Sequence, residues 1–215
     1  MNNPTHFPEN ERHFLLQGPV GALECLTQSV QEPKGVGIIC HPHPLHQGTM
    51  NNKVVYTIAR AFHHKGLNTV RFNYRGVGKS EGNFGHSIGE AEDLTAVIRW
   101  VQAVLPDAKL WLAGFSFGAY IAAKGASEHG CEQLFSVAPA VHHQPYEDLL
   151  GIHCPWIVIQ GTQDDVIPSE KVKAWFQGRQ LKVSSPMTWI EMEASHFFHG
   201  KLTLLRESIS DNLIV

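Results

Sequence analysis

Ser116 sits in Gly114-Phe115-Ser116-Phe117-Gly118, a Gly-x-Ser-x-Gly pattern whose chemistry is nucleophilic attack on a carbonyl. Leu110 to Gly114, just before it, form a short apolar run that reads as a buried strand. Ala119 to Lys124, just after it, are good helix formers. A strand that turns directly into a helix brings two backbones close together, and side chains at Gly114 and Gly118 would collide there. The same turn lifts the Ser116 hydroxyl clear of the sheet. It also leaves the first helical amides free to bind a negative oxygen.

A serine hydroxyl needs a base to take its proton, and the base needs a partner to orient it. In an elbow of this kind the acid follows the serine and the histidine follows the acid. Asp164 and Asp165 come after a strand candidate ending at Gln160, and His196 comes after one ending near Met192. Asp165 competes with Asp164 for the role of acid. His199 competes with His196 for the role of base, but a position one helical turn further on, inside a helix, points it away. The oxyanion needs main-chain donors. Phe117, directly after the nucleophile, is one. The other belongs to the loop His41-Pro42-His43-Pro44-Leu45, where the prolines have no N–H, leaving His43 first and Leu45 as the alternative.

Two other chemistries fit the residues poorly. His41, His43 and His46 suggest a metal cluster, but no Asp or Glu lies among them and prolines break the spacing. Gly78-Lys79-Ser80 resembles the end of a phosphate-binding loop, yet Asn73 stands where that pattern requires glycine, and Glu81 to Gly85 do not read as a helix. No metal and no cofactor are expected.

The elements that must position these residues alternate along the chain. Phe14 to Gln17 and Ala22 to Thr27 predict a β-hairpin around Gly18-Pro19-Val20-Gly21. Further strands are predicted over Gly35–Cys40, Leu67–Phe72, Leu134–Ala138, Pro155–Gln160 and Thr188–Met192. Helices are predicted from Asn51 or Asn52 to Gly66, from the capping box Ser87/Glu90 to Pro106, from Pro168 through Phe176, and over Phe198, Leu202, Leu205 and Ile209. A short helix around Tyr146 to Leu150 is all that fits between Pro139 and Cys154. A hairpin followed by strands alternating with helices predicts an α/β fold: a mostly parallel sheet with helices on both faces. The elbow, the His43 loop, the Asp164 loop and the His196 loop all follow strands, so they meet at one edge of that sheet.

The chain resembles the short α/β-hydrolases related to dienelactone hydrolases and bacterial carboxylesterases. The resemblance rests on His41 to Lys53, Arg71 to Gly82, Ala113 to Ala119, Gln160 to Pro168 and Ala194 to Lys201. It implies the α/β-hydrolase fold without a lid domain, and an esterase or thioesterase acting on a small-molecule substrate. In that pattern the acid lies three residues after a glycine, which from Gly161 is Asp164. The histidine stands directly before two aromatics, which is His196. A peptidase or amidase with the same three residues is the alternative, as is a binding protein that has lost catalysis.

With 215 residues and 43% apolar content, a single domain spanning 1–215 is expected. The net charge of −3 is spread without runs, so neither nucleic acid nor a membrane is an expected partner. The polar start and the absence of any apolar run of about 20 residues point to a cytoplasmic protein. Cys25, Cys40, Cys131 and Cys154 are scattered and read as buried thiols of a reducing compartment. Oligomeric state is not legible.

Overall fold

The computed structural model describes residues 3–183 and 185–215. Eight strands form one sheet in the order β1-β2-β4-β3-β5-β6-β7-β8. β1 (Glu11–Gln17) and β2 (Ala22–Gln28) make the expected hairpin, with Gln17 opposite Ala22 and the Gly18 N–H donating to the Gly21 carbonyl at 2.8 Å. β2 pairs antiparallel with β4 (Asn68–Phe72). From β4 onward the sheet is parallel, through β3 (Val36–Cys40), β5 (Leu110–Phe115), β6 (Gln133–Val137), β7 (Trp156–Gly161) and β8 (Met187–Met192).

The central strands are buried on both faces, which explains their unbroken apolar runs. Successive residues still part company. Ile38, Leu112 and Val158 face one core, while Ile39, Ala113 and Ile159 face the other. The first core is closed by α2 (Ile88–Val104), α3 (Phe117–His129) and α4 (Ser169–Gln180). The second is closed by α1 (Lys53–His64) and α5 (Leu202–Asn212). Asn52 caps α1, its side-chain oxygen accepting from the Val54 N–H at 2.9 Å. The Glu90 carboxylate accepts from the Ser87 and Gly85 N–H groups at 2.8 and 2.7 Å, completing the capping box of α2.

Between β6 and β7 the expected short helix is a single 3-10 turn, Tyr146–Asp148, so the fold carries no lid. Tyr146 is fully buried, and the Arg179 guanidinium of α4 donates to the carbonyls of Tyr146 and Leu149. The connection is therefore tied down against the body of the protein.

The glycine-rich loop after β4 is a scaffold. Arg75 is buried and meets the fully buried Asp93 of α2 through Nη2, at 2.7 Å, and Nε, at 3.0 Å. The Arg75 main-chain N–H donates to the same carboxylate at 2.8 Å. Gly89 leaves room for the guanidinium, since a Cβ there would strike it. The atoms that a phosphate would need are taken: the Lys79 N–H donates to Glu24 at 2.9 Å and the Ser80 hydroxyl to the Asn73 carbonyl at 2.7 Å. Removing one partner of a buried ion pair costs about 3–5 kcal/mol when the remaining charge is left uncompensated; here the exposed Glu92, 3.0 Å from Arg75 Nη2, offsets part of that cost. Asp93→Ala should lose between about 1 and 5 kcal/mol in urea unfolding, and a loss under about 1 kcal/mol would show that the pair does not anchor the loop.

Candidate active site

Ser116 connects β5 directly to α3, in a backbone conformation of φ 56°, ψ −115°. Few non-glycine residues tolerate such a geometry, and it persists only where the surroundings enforce it. Here the enforcement is packing. A Cβ on Gly114 would strike the Gly118 carbonyl, and one on Gly118 would strike the carbonyls of Cys40 and His41 at the end of β3. The N-terminus of α3 thus rests against the loop that carries His43. Ser116 is 8% exposed.

The loop after β7 delivers Asp164, and the loop after β8 delivers His196. His196 Nδ1 donates to Asp164 Oδ2 at 2.8 Å, with both side chains buried. The other Asp164 oxygen accepts from the Val166 and Ile167 N–H groups at 2.9 and 2.7 Å. Gln160, at the end of β7, adds its amide N–H to Oδ2 at 3.0 Å. Burial alone would raise the Asp164 carboxyl. The hydrogen bonds from His196, Ile167 and Val166 outweigh it and hold the group below the usual carboxylate range. Asp165 is exposed and takes no part in this network.

His196 packs its ring against Phe115 at 4.9 Å, one residue before the serine. No hydrogen bond joins the Ser116 hydroxyl to the imidazole among the described residues. Such bonds are often loose before substrate arrives. His199 is exposed, in the turn that precedes α5 and not inside the helix as the periodicity suggests. Phe198 adopts φ 54° there and helix formation starts only at Leu202.

The structure separates the two candidate oxyanion donors in the His43 loop. The Leu45 N–H donates to His43 Nδ1 at 3.2 Å and is therefore occupied. Among the described residues, the N–H groups of His43 and Phe117 have no partner. The His43 ring lies beside those of His46, Phe84 and Phe117, at 4.7, 5.0 and 4.9 Å. Among the described residues no group of His, Cys, Asp or Glu is arranged to hold a metal ion. His41 and His43 have other work.

That work, for His41, is invisible in the sequence. The ring is fully buried between two loops. Nδ1–H donates to the Pro42 carbonyl at 2.7 Å, and Nε2 accepts from the Tyr74 N–H at 3.1 Å. Asn73 next door accepts from the Met50 N–H at 2.8 Å and donates to Glu24 at the same distance. The loop after β3 is thereby fastened to the loop after β4. Only a tertiary contact reveals this, because both partners of His41 are main-chain groups, one of them 33 residues away.

Residues 31–153 match the family Hydrolase_4, described as serine aminopeptidase, S33. The chain belongs to this α/β-hydrolase family. An α/β serine hydrolase homologue from Coxiella burnetii is 50% identical to this hydrolase, covers 97% of it over 100% of its own chain, and superposes with a TM-score of 0.91. A lidless α/β serine hydrolase from Xanthomonas campestris is 38% identical over 97% of this chain and 95% of its own, with a TM-score of 0.88. An uncharacterized protein of Rickettsia prowazekii is 32% identical over 213 residues, 94% of this chain and 88% of its own. The hydrolase is thus a short, lidless member of the serine hydrolases. None of its helices, among the described residues, is long and apolar enough to cross a membrane.

Burial of His41 has a consequence for stability. Desolvation pushes its imidazole down to about 3, against a hydrogen bond to Pro42 that favours the charged form. The unfolded chain binds a proton below about 6.5. The native site refuses it until about 3. The contribution of His41 is therefore fully present above about pH 6.5 and declines on acidification, by at most about 1.4 kcal/mol per pH unit. His41→Asn should be less stable than wild type at pH 8, with the difference narrowing as pH falls to 5. Melting curves of the two proteins that stay parallel over that range would contradict this account.

Proposed function

We propose that this hydrolase cleaves a carboxylic ester or thioester through an acyl-enzyme on Ser116. The observation that carries the reading is the buried 2.8 Å pair of His196 and Asp164 beside a strained elbow serine. Ser116 attacks the carbonyl. His196 takes its proton through Nε2 and returns it to the leaving alcohol or thiol. Asp164 holds the proton on Nδ1 and steadies the imidazolium that forms. The N–H groups of Phe117 and His43 receive the oxyanion, aided by the N-terminus of α3. Water then repeats the attack and frees the acid.

The family's description as a serine aminopeptidase supports a second reading, an amidase with the same residues. An aminopeptidase must bind a free ammonium, for which a carboxylate is the natural partner. Two carboxylates near the site, Asp164 and Glu90, are already engaged by the hydrogen bonds described above. The lidless site and its aromatic border of His43, Phe84 and Phe117 favour an uncharged acyl group that reaches in from solvent. Assays on p-nitrophenyl esters, acyl thioesters and aminoacyl amides separate the two, and turnover confined to the amides would reverse the assignment.

A fluorophosphonate probe should label the protein once, at Ser116, and Ser116→Ala should lower kcat by roughly 10⁴ to 10⁶. Asp164→Asn should be far more damaging than Asp165→Asn, since only the former touches His196. His43→Pro removes an oxyanion donor and should cost about 10² to 10³ in kcat. His43→Asn keeps both the N–H and an acceptor for Leu45, and should remain close to wild type. Equal losses from the two His43 variants, in proteins shown to be folded, would move the oxyanion donor elsewhere.

A further inference from the structure

Two thiols lie far from the serine and take no part in its chemistry. Cys131 sits in the turn between α3 and β6, and Cys154 in the segment that leads into β7. Their Sγ atoms are 3.4 Å apart. Cys154 is buried, at 9% exposure, and Cys131 is half-buried, so the pair meets solvent through Cys131. Cys25 and Cys40 are completely buried.

The surrounding backbone already holds the two residues in place. β6 and β7 are neighbours in register, with Leu134 opposite Trp156, and the Leu134 N–H donates to the Pro155 carbonyl at 3.0 Å. On the other side the Glu132 N–H donates to the Leu110 carbonyl at 2.7 Å. A disulfide has its sulfurs about 2.05 Å apart. Closing the gap of 3.4 Å is a movement of about 1.4 Å, within reach of side-chain rotation. A pair of thiols in contact, next to solvent and fixed by a sheet on both sides, is set up for oxidation to one product.

We propose that Cys131 and Cys154 form a reversible dithiol–disulfide site that reacts with hydroperoxides. The hydrogen bond between the two thiols lowers Cys154 against its burial, and the same bond together with burial pushes Cys131 up, so the pair shares one easily lost proton. The thiolate of one cysteine of the pair attacks the outer oxygen of the hydroperoxide. An S–O bond forms, the O–O bond breaks, and the alkoxide departs as alcohol with a proton from solvent. The second thiol then attacks the sulfenic sulfur, and hydroxide leaves as water with the thiol proton. Two electrons pass from the dithiol to the peroxide, and the S–S bond is the product. The crosslink encloses residues 132–153, which include all of β6 and the connection that stands where a lid would be. It lies at the amino ends of β6 and β7, opposite the edge that carries Ser116. Its effect is therefore on stability and not on the reaction.

The test uses the full chain, treated with a small excess of hydrogen peroxide and quenched. Intact mass under non-reducing conditions should fall by about 2 Da, with Cys131 and Cys154 in one crosslinked peptide. The melting temperature should rise by roughly 5–10 °C for a loop of this size. Dithiothreitol should reverse both changes, and ester turnover should stay within about twofold throughout. Cys131→Ser and Cys154→Ser should each abolish the loss of mass. Addition of one or two oxygens in place of that loss, no reaction at all, or a loss that persists in either serine variant would overturn the proposal.

Discussion

The close approach of the start of α3 to the end of β3 is the constraint on which the site depends. Two glycines make it, because Gly114 and Gly118 stand where any side chain would meet a carbonyl. Between them Ser116 takes up the strain, at φ 56°. One contact thus does three things: it lifts the hydroxyl, it frees the Phe117 N–H, and it sets the His43 loop beside that N–H. Strain of this kind, of order 1–3 kcal/mol, is maintained only by the packing of a whole sheet behind it. The fully buried strands β3, β5 and β6 provide that packing.

Around the contact, buried polar groups hold the loops that the sheet alone would leave free. Arg75 with Asp93, Asn73 with Glu24 and Met50, His41 with Pro42 and Tyr74, and Gln160 with Asp164 each join a loop at one edge of the sheet to another element. Burying such groups is costly unless every partner is present. That cost makes the arrangement specific, since a loop in the wrong place would strand a charge or an amide away from water. The donors proposed for the oxyanion are therefore fixed before a substrate arrives, and preorganised dipoles need no rearrangement as negative charge develops.

The missing lid shifts the burden of selectivity to the rim. Tyr146 and Arg179 fasten the short connection after β6 to the body of the protein, so nothing folds over the serine from that side. What borders the site instead is aromatic: Phe84, Phe117, Phe197 and the ring of His43. For the proposed reaction, an open site with an apolar border would exert its preference through the acyl group it touches and leave the far end of the substrate in water.

The sequence by itself determined the order of elements and the elbow, and it nominated Ser116 and His196 for the proposed chemistry. These are local signals: apolar runs of strand length, helical spacing, and two glycines flanking a serine. It also carried Asp164, but only through resemblance, because Asp164 and Asp165 are adjacent and equivalent in type. The tertiary structure decided between them, since a carboxylate is chosen by which one faces the imidazole, 32 residues away. It likewise placed His199 in a turn, where periodicity continued the helix. It engaged the Leu45 N–H with the His43 ring and left the His43 N–H without a partner among the described residues. It turned His41, Asn73 and Arg75 from candidate ligands and loop residues into anchors. In every such case the deciding partner is a main-chain group or a charge far along the chain, brought near by the sheet, and no pattern within a short window records it.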